Sequence, residues 1–488
     1  MSARKSQRAE EPSRKSQGGG AKGRPSAEES LVAEKYAHKL IRTLRIRLAD
    51  RPGMLGLVAT AIGEEGGLIG DVEKLAIDSH SISRNVHVHV DDQPHLDRIV
   101  ERLGALDGIT VEAVTDDVLR VHEGGKLRVR GRTEVRTLLD LQMIYTPGVA
   151  AVSRAIYDDP SLLRRYTWAG STVAIVTDGS AILGLGNLGP AAALPVMEGK
   201  ALILDAFAGV GCVPIILSTQ DAKEIIETVE RIAGGFGAIM LEDISAPRCF
   251  EIETELARRL PVPVFHDDQH GTAIVALAAL RNACRQTGTG LAKLSVAVSG
   301  AGAAGTAIAK LLVSAGARDV ICCDRSGTIY EGRAEHMDPG KKSLAAITNR
   351  RRLKGSLADA MRGANAFVGV SSPGLVTEEM VRSMAEPRLV FALANPDPEI
   401  PPARALAAGA RVAVDGRTCN NALAFPGIIR GALDAGARSI TEAMKLAASR
   451  AIAGAAPEGM LLPTILDPDI HRAVAEAVKA AWSPDACR

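Results

Sequence analysis

A chain of 488 residues exceeds one ordinary core, and at roughly 150 residues per domain it predicts two or three of them. Its hydrophobic share of 46% and charged share of 24% are globular values, which excludes a wholly disordered or fibrous chain. The 58 Lys and Arg residues against 57 Asp and Glu leave no overall field for a polyanion, so nucleic acid is not an expected partner.

Residues 1–38 predict a disordered tail, because Glu10, Glu11, Glu28 and Glu29 and the glycines at 18–20 argue against a basic amphipathic helix and no apolar centre of a secretion signal is present. No apolar run reaches the roughly 18 residues of a membrane span. Seven scattered cysteines without a C-x-x-C spacing fit a reducing cytoplasm. Glycine is frequent, at 48 residues, which points to loops where backbone approaches something closely.

Residues 39–123 read as a compact module. Leu44, Ile46 and Leu48 alternate as in a half-buried strand, residues 50–53 (DRPG) make a turn, and Met54, Leu55, Val58, Ala61 and Ile62 follow at helical spacing. Strands at 68–78 and 81–90, a helix at 96–106 and a strand at 109–114 complete a ferredoxin-like βαββαβ order. His87 and His89 fall on the polar face of their strand and are assigned no role. The order, with DRPGML at 50–55, resembles an ACT domain, which implies binding of an amino-acid or other metabolite effector; a dimerisation module without ligand is the alternative.

Two α/β units follow. In 124–271, short apolar strands at 173–177, 213–217, 238–241 and 262–265 alternate with helical patterns, predicting a parallel sheet covered on both faces. In 272–439, strands at 294–298, 320–323, 366–370, 389–393 and 411–414 predict a second such sheet. Helical patterns at 440–452 and 470–482 close the chain.

The segment 296–305 (VAVSGAGAAG) ends a strand and opens a helix. Gly300 suits the tight turn, Gly302 the approach of a pyrophosphate and Gly305 the packing of helix on strand; Ala303 and Ala304 lie in the helix N-terminus that faces the phosphates. Asp324 stands 19 residues after Gly305, at the end of the next strand, where a carboxylate accepts the ribose 2′-OH. Its charge favours NAD over NADP, while the adjacent Arg325 offers a partner for a 2′-phosphate.

Glu242 and Asp243 follow one predicted strand and Asp267 and Asp268 another, at the carboxyl edge where open α/β sheets hold ligands. Four converging carboxylates repel unless a cation sits among them, and hard oxygen donors suit Mg²⁺ or Mn²⁺. Helix capping by one Asp of each pair is the structural alternative. His266 and His270 are read as supporting or packing residues. Lys200, in an apolar Gly-rich stretch, is a candidate base if burial lowers its pKa, and otherwise a solvated lysine.

The motifs YTPGVA at 145–150, TDGSAILGLGN at 177–187, EGK at 198–200, LED at 241–243, HDDQHGT at 266–272, NN at 420–421 and FPG at 425–427 together resemble the bacterial malic enzymes, in order over residues 125–488. The resemblance implies oxidative decarboxylation of malate to pyruvate and CO₂ with reduction of NAD(P)⁺, in a cytoplasmic homodimer or larger homo-oligomer. It implies Tyr145 as general acid, Lys200 as general base with Asp267 beside it, and Glu242, Asp243 and Asp268 as metal ligands. Asn395 and Asn421 match positions that contact substrate or cofactor, and the helices at 440–488 match a part that packs back on the catalytic domain. The arginine that larger malic enzymes carry near 178–187 is missing, so the grip on the second malate carboxylate is unassigned. A phosphotransacetylase-like extension is also missing. Two readings compete: another metal-assisted NAD(P)-dependent 2-hydroxy-acid or amino-acid dehydrogenase, and a non-catalytic metabolite sensor.

Overall fold

In this computed structural model residues 39–182 and 184–484 are described; the expected tail at 1–38 and Cys487 lie outside them. Strand β1 (Leu40–Ala49) buries Leu44, Ile46 and Leu48 on one face. Gly53, at φ +89°, reverses the chain into helix α1 (Met54–Glu64), a left-handed conformation glycine adopts at little cost. Strands β2 (Leu68–Ile77) and β3 (Ser81–Val90), helix α2 (Gln93–Gly104) and strand β4 (Ile109–Asp116) follow. The antiparallel order β2-β3-β1-β4 is the expected ferredoxin-like arrangement. Leu44, Ile46, Val86 and Val88 pack against Val58, Ile62, Leu96 and Ile99. At about 1.5–3 kcal/mol per fully buried aliphatic side chain, the module holds a core of its own.

Helices α3 (Leu138–Ile144) and α4 (Val149–Asp158) come next. Thr137 starts α3 with a capping box: its hydroxyl accepts the Asp140 N–H at 3.1 Å, and the Asp140 carboxylate accepts the Thr137 N–H at 2.8 Å. The pair packs chiefly on itself and on the short turns that follow.

The second unit is a parallel sheet of β5 (Thr172–Thr177), β6 (Gly211–Ile216), β7 (Ala238–Leu241) and β8 (Val264–His266), in the order β6-β5-β7-β8. Strand β8 begins two residues after the expected start at 262, because Pro263 has no N–H to give the ladder and pairing with β7 opens at Val264. Helices α5 (Pro190–Ala208), α6 (Ala222–Ile232) and α7 (Arg248–Arg259) connect the strands. With β6 on one side of β5 and β7 and β8 on the other, the topological switch falls beside β5.

Helix α8 (Asp267–Gln286) starts at the end of β8 and is apolar and buried from Ala273 to Leu280. It leads into the third unit, so the boundary expected at 271 lies inside a helix that both units share. That unit's sheet, β11-β10-β9-β12-β13-β14, comprises β9 (Ser295–Ser299), β10 (Asp319–Asp324), β11 (Gly327–Thr328), β12 (Ala366–Gly369), β13 (Leu389–Ala392) and β14 (Val412–Asp415). All pair in parallel except the two-residue edge strand β11, the doubly wound order of a dinucleotide-binding fold. Helix α9 (Ala303–Ser314) follows β9. Helices α10 (Phe425–Asp434), α11 (Glu442–Ala455) and α12 (Pro468–Ala481) return to the second unit, where the His471 ring stacks on Phe207 of α5 with centroids 4.6 Å apart.

Candidate active site

The carboxyl ends of β5, β7 and β8 carry Asp178, then Glu242 and Asp243, then Asp267 and Asp268. Parallel register pairs Leu241 with His266, which sets the two acidic pairs side by side just beyond the sheet. One oxygen each of Glu242, Asp243 and Asp268 lies within 4.8 Å of the others. Capping does not explain them: α8 has His266 as N-cap with no side-chain cap, and Asp268 Oδ2 accepts the Asp243 N–H at 2.8 Å. Asp243 holds φ +53°, a left-handed conformation costly for a side-chain-bearing residue. Glu242 Oε2 is buried without a hydrogen-bond partner among the described residues. Burial and the Asp268 charge push the Glu242 carboxyl well above the usual range. Buried oxygen donors in excess of local positive charge are the donor set that a hard divalent cation fits.

Lys200, on α5, is buried and projects into this cluster. Its Nζ donates to Asp267 Oδ2 at 2.5 Å, lies 3.0 Å from Glu242 Oε1, and sits 4.8 Å from the Phe425 ring centroid. The sequence-based expectation that burial lowers its pKa is corrected. Burial acts in that direction, but Asp267 and Glu242 outweigh it and push the ammonium pKa up. Asp267 is fully buried, and that burial pushes its own carboxyl up. Asn421, expected at substrate or cofactor, donates its Nδ2 to Asp267 Oδ2 at 2.7 Å. It therefore fixes the carboxylate that fixes Lys200.

His266 and His270 stand behind the cluster as expected. The His270 Nε2 is 2.8 Å from Glu253 Oε1, and the same carboxylate accepts the His266 N–H at 3.0 Å. Sequence reasoning missed Glu253 and also Arg248. The Arg248 guanidinium donates to Asp178 Oδ2 at 3.1 Å, and its Nε is buried without a hydrogen-bond partner among the described residues. A lone charge on a helix carries no periodic signal; only its strand-end neighbour Asp178 hinted at it.

The dinucleotide loop is built as the spacing implied. A Cβ on Gly300 would lie 2.7 Å from the Val370 carbonyl oxygen, and one on Gly305 2.0 Å from that of Gly300, whereas the space at Gly302 is open. Beside it a cavity of about 1370 Å³ runs between the units, lined by Gly300, Gly302, Asp324, Arg325 and Lys341 with Phe250 of the second unit. Ala303 and Ala304 form the first turn of α9. The Asn395 carbonyl oxygen would lie 2.7 Å from a Cβ on Gly184, so Asn395 sits where the two units meet. Asp324 is not the free carboxylate the sequence suggested. Arg333 donates to both its oxygens at 2.9 and 3.0 Å, and Lys341 lies 2.9 Å away. Burial opposes its charge, but Lys341 and Arg333 prevail and hold the carboxyl below its ordinary pKa.

Tyr145 is not brought to the cluster. It follows α3, is 66% exposed, and its hydroxyl makes no hydrogen bond among the described residues.

Comparison with known proteins agrees with this layout. Residues 129–257 match the malic enzyme N-terminal domain, 269–483 the malic enzyme NAD binding domain, and 39–111 the ACT domain. The chain is 44% identical to NAD-dependent malic enzyme 1 of Bacillus subtilis, over 91% of this chain and 98% of that protein. It is 46% identical to the NAD-dependent malic enzyme of Geobacillus stearothermophilus, over 90% and 93%. Among solved structures, the NAD-dependent malic enzyme of Thermotoga maritima superposes with a TM-score of 0.72 at 43% identity, covering 74% of this chain and 99% of that one. A Rossmann-type unit joined to a carboxylate-lined α/β unit, together with identity at this level over nearly the whole chain, shows that the protein belongs to the malic enzyme family.

Proposed function

We propose that this protein oxidatively decarboxylates malate to pyruvate and CO₂ while reducing NAD(P)⁺, and that Lys200, Asp267 and the three carboxylates carry the chemistry. The supporting observation is the buried Lys200 ammonium bound to Asp267 at 2.5 Å beside Glu242. Glu242, Asp243 and Asp268 would hold Mg²⁺ or Mn²⁺. When bound, such a cation supplies Lewis acidity to the C2 oxygen and offsets charge left by loss of CO₂. The loop from Gly300 to Gly305 with α9 would hold the dinucleotide, which would supply the hydride acceptor for C2.

The chain's own groups manage protons. Transfer from Lys200 Nζ to Asp267 Oδ2 along their short bond leaves a neutral amine, which takes the proton of the malate C2 hydroxyl. Asn421 keeps Asp267 aligned for that exchange. Arg248, steadied by Asp178, offers a guanidinium for the second malate carboxylate that sequence reasoning left unassigned. The malic enzyme resemblance assigns the proton delivered to C3, after CO₂ leaves, to Tyr145, which its own chain leaves exposed.

The ACT module is read as a regulator responding to an amino acid or other small metabolite. Its connector touches the catalytic helix directly: the Lys126 N–H donates to Glu198 Oε2 at 3.1 Å and its Nζ donates to the Pro195 carbonyl at 2.8 Å. Glu198 precedes Lys200 by two residues on α5, so a shift of the connector reaches the base. Among the described residues no helix is long and apolar enough to cross a membrane, and the described cysteines are free, which supports a cytoplasmic enzyme. A homodimer is the proposed assembly.

Product analysis tests the reaction. With malate, Mn²⁺ and either NAD⁺ or NADP⁺, equal amounts of pyruvate, CO₂ and reduced cofactor are expected. Accumulation of uncleaved oxaloacetate, or no turnover, refutes it.

A further inference from the structure

The C-terminal end of α8 gathers positive charge without a counter-charge. Arg281 and Arg285 on α8 and Arg450 on α11 line one cavity of about 450 Å³ together with Thr289, Leu291 and Ala453. None of the three arginines forms an ion pair or a hydrogen bond among the described residues, whereas Arg258 and Arg259 on α7 both reach Glu255. The Arg281 Nε is buried with no hydrogen-bond partner among those residues. Burial and the Arg450 charge push the Arg281 guanidinium below its ordinary pKa. Complementing the helix end does not account for the cluster: a helix C-terminus amounts to about half a negative charge, and three full positive charges stand here, one of them from another helix. The cavity is also preformed. Asn282, next to Arg281, is buried and donates its Nδ2 to the carbonyls of Ala453 at 2.9 Å and Leu461 at 2.8 Å, which fixes α8 against the end of α11.

We propose that this cavity binds a small phosphoryl-bearing anion, at a site separate from those for malate, metal and dinucleotide. Like charges held together repel unless an anion sits among them. Three guanidiniums suit a phosphoryl group better than a carboxylate. A phosphoryl group carries about two negative charges at pH 7 and three acceptor oxygens, enough to meet forks arriving from two helices. The two oxygens of a carboxylate are matched by a single arginine fork. Leu291 and Ala453 leave an apolar wall for a short organic portion of the ligand. Two observations set the site apart from the active site. It shares no lining residue with the cavity beside Gly300. Arg281 also follows Asp268 by 13 residues on one helix, which places it about 20 Å further along the axis at roughly 1.5 Å per residue.

Calorimetric titration with inorganic pyrophosphate decides the matter. The full-length protein is kept free of metal, which pyrophosphate would chelate, and is saturated with NAD⁺ so that the dinucleotide cavity is filled. One equivalent of pyrophosphate should bind per chain at low ionic strength, with affinity falling as salt is raised. Arg281→Gln and Arg450→Gln should each weaken binding at least about tenfold, the effect of losing a charge-assisted hydrogen bond to the anion. Lys341→Glu, which alters the dinucleotide cavity, should leave it within about twofold. No binding by the wild type, or undiminished binding by Arg281→Gln with Arg450→Gln, overturns the proposal. Tricarballylate bound as tightly as pyrophosphate overturns the phosphoryl assignment. Without anion, Arg281→Gln should leave the Tm unchanged or raised, because it removes repulsion between like charges. A drop of more than about 4 °C would mean that Arg281 serves the fold and would overturn the proposal. So would a wild-type oligomer that dissociates in Arg281→Gln on analytical ultracentrifugation, since the arginines would then meet carboxylates of a neighbouring chain.

Discussion

Gly271 lies in the second turn of α8, directly over the Asp267 carboxylate, and Gly271→Ala tests whether the position of that carboxylate governs the chemistry. A Cβ there would stand 2.0 Å from Asp267 Oδ1, 2.9 Å from its Cγ and 3.1 Å from Asn421 Cβ. These distances fall inside the roughly 3.5 Å of ordinary contact, so the carboxylate must retreat by about 1 Å or more. Its other oxygen holds Lys200 at 2.5 Å and Asn421 at 2.7 Å, and the retreat breaks both bonds. A displacement of about 1 Å in a reacting constellation costs on the order of 100-fold in rate. Stability should change far less. Overpacking costs about 1–3 kcal/mol, while alanine in a helix interior regains about 1 kcal/mol over glycine. Malate-dependent formation of reduced dinucleotide should therefore show kcat lowered about 100-fold with the KM for dinucleotide unchanged, and a thermal melt should shift only a few degrees. Wild-type kcat in a folded Gly271→Ala enzyme would refute the argument, because it would mean Asp267 serves equally well from another place.

Four further outcomes are expected. Mn²⁺ at about 100 times its Kd should stabilise the wild type by about 2.7 kcal/mol, seen as a raised Tm, and Asp268→Asn should remove that shift; an undiminished shift would displace Asp268 from the ligand set. Since Arg333 and Lys341 offset Asp324, NADP⁺ should be accepted as well as NAD⁺, and Lys341→Glu should raise the KM for NADP⁺ at least about tenfold relative to NAD⁺, a differential near 1.4 kcal/mol; equal effects on both cofactors would contradict this. Lys126→Ala should blunt the response to an ACT-domain effector while basal kcat stays within about twofold, because partly exposed polar contacts are worth at most about 1 kcal/mol each; an unchanged response would remove the connector from the coupling. Burial pushes the thiols of Cys212, Cys249, Cys323 and Cys419 up to about 12 and that of Cys284 up to about 11. At pH 8 the reactive thiolate is then scarce, so peptide mapping after brief alkylation of the native protein should find these five unlabelled, with labelling rising as pH climbs towards 11; rapid labelling at pH 8 would contradict it.

The sequence by itself determined every property that is written in neighbouring residues. Alternation in β1 and β3 exposed a one-sided sheet, because polar and apolar side chains must segregate along a strand that faces water on one side. The Gly300–Gly305 loop was legible because a tight turn, a close backbone approach and a strand–helix packing contact each demand glycine at a set spacing. The acidic pairs were legible as strand-end residues, since the apolar runs before them were strands.

Tertiary structure decided what depends on partners distant in the chain. Whether Lys200 is a free amine or an ammonium is set by Asp267, 67 residues away, and no local pattern encodes that charge balance. The Asn421 bond to Asp267 spans 154 residues. Asp324 looked like an open carboxylate until the fold brought Lys341 and Arg333 against it. Tyr145 was legible only through its motif, and the fold leaves it exposed after α3 with no hydrogen bond from its hydroxyl among the described residues. Ionisation, neutralisation and completeness of a site follow from Coulomb energy and burial, which depend on distance through space rather than along the sequence.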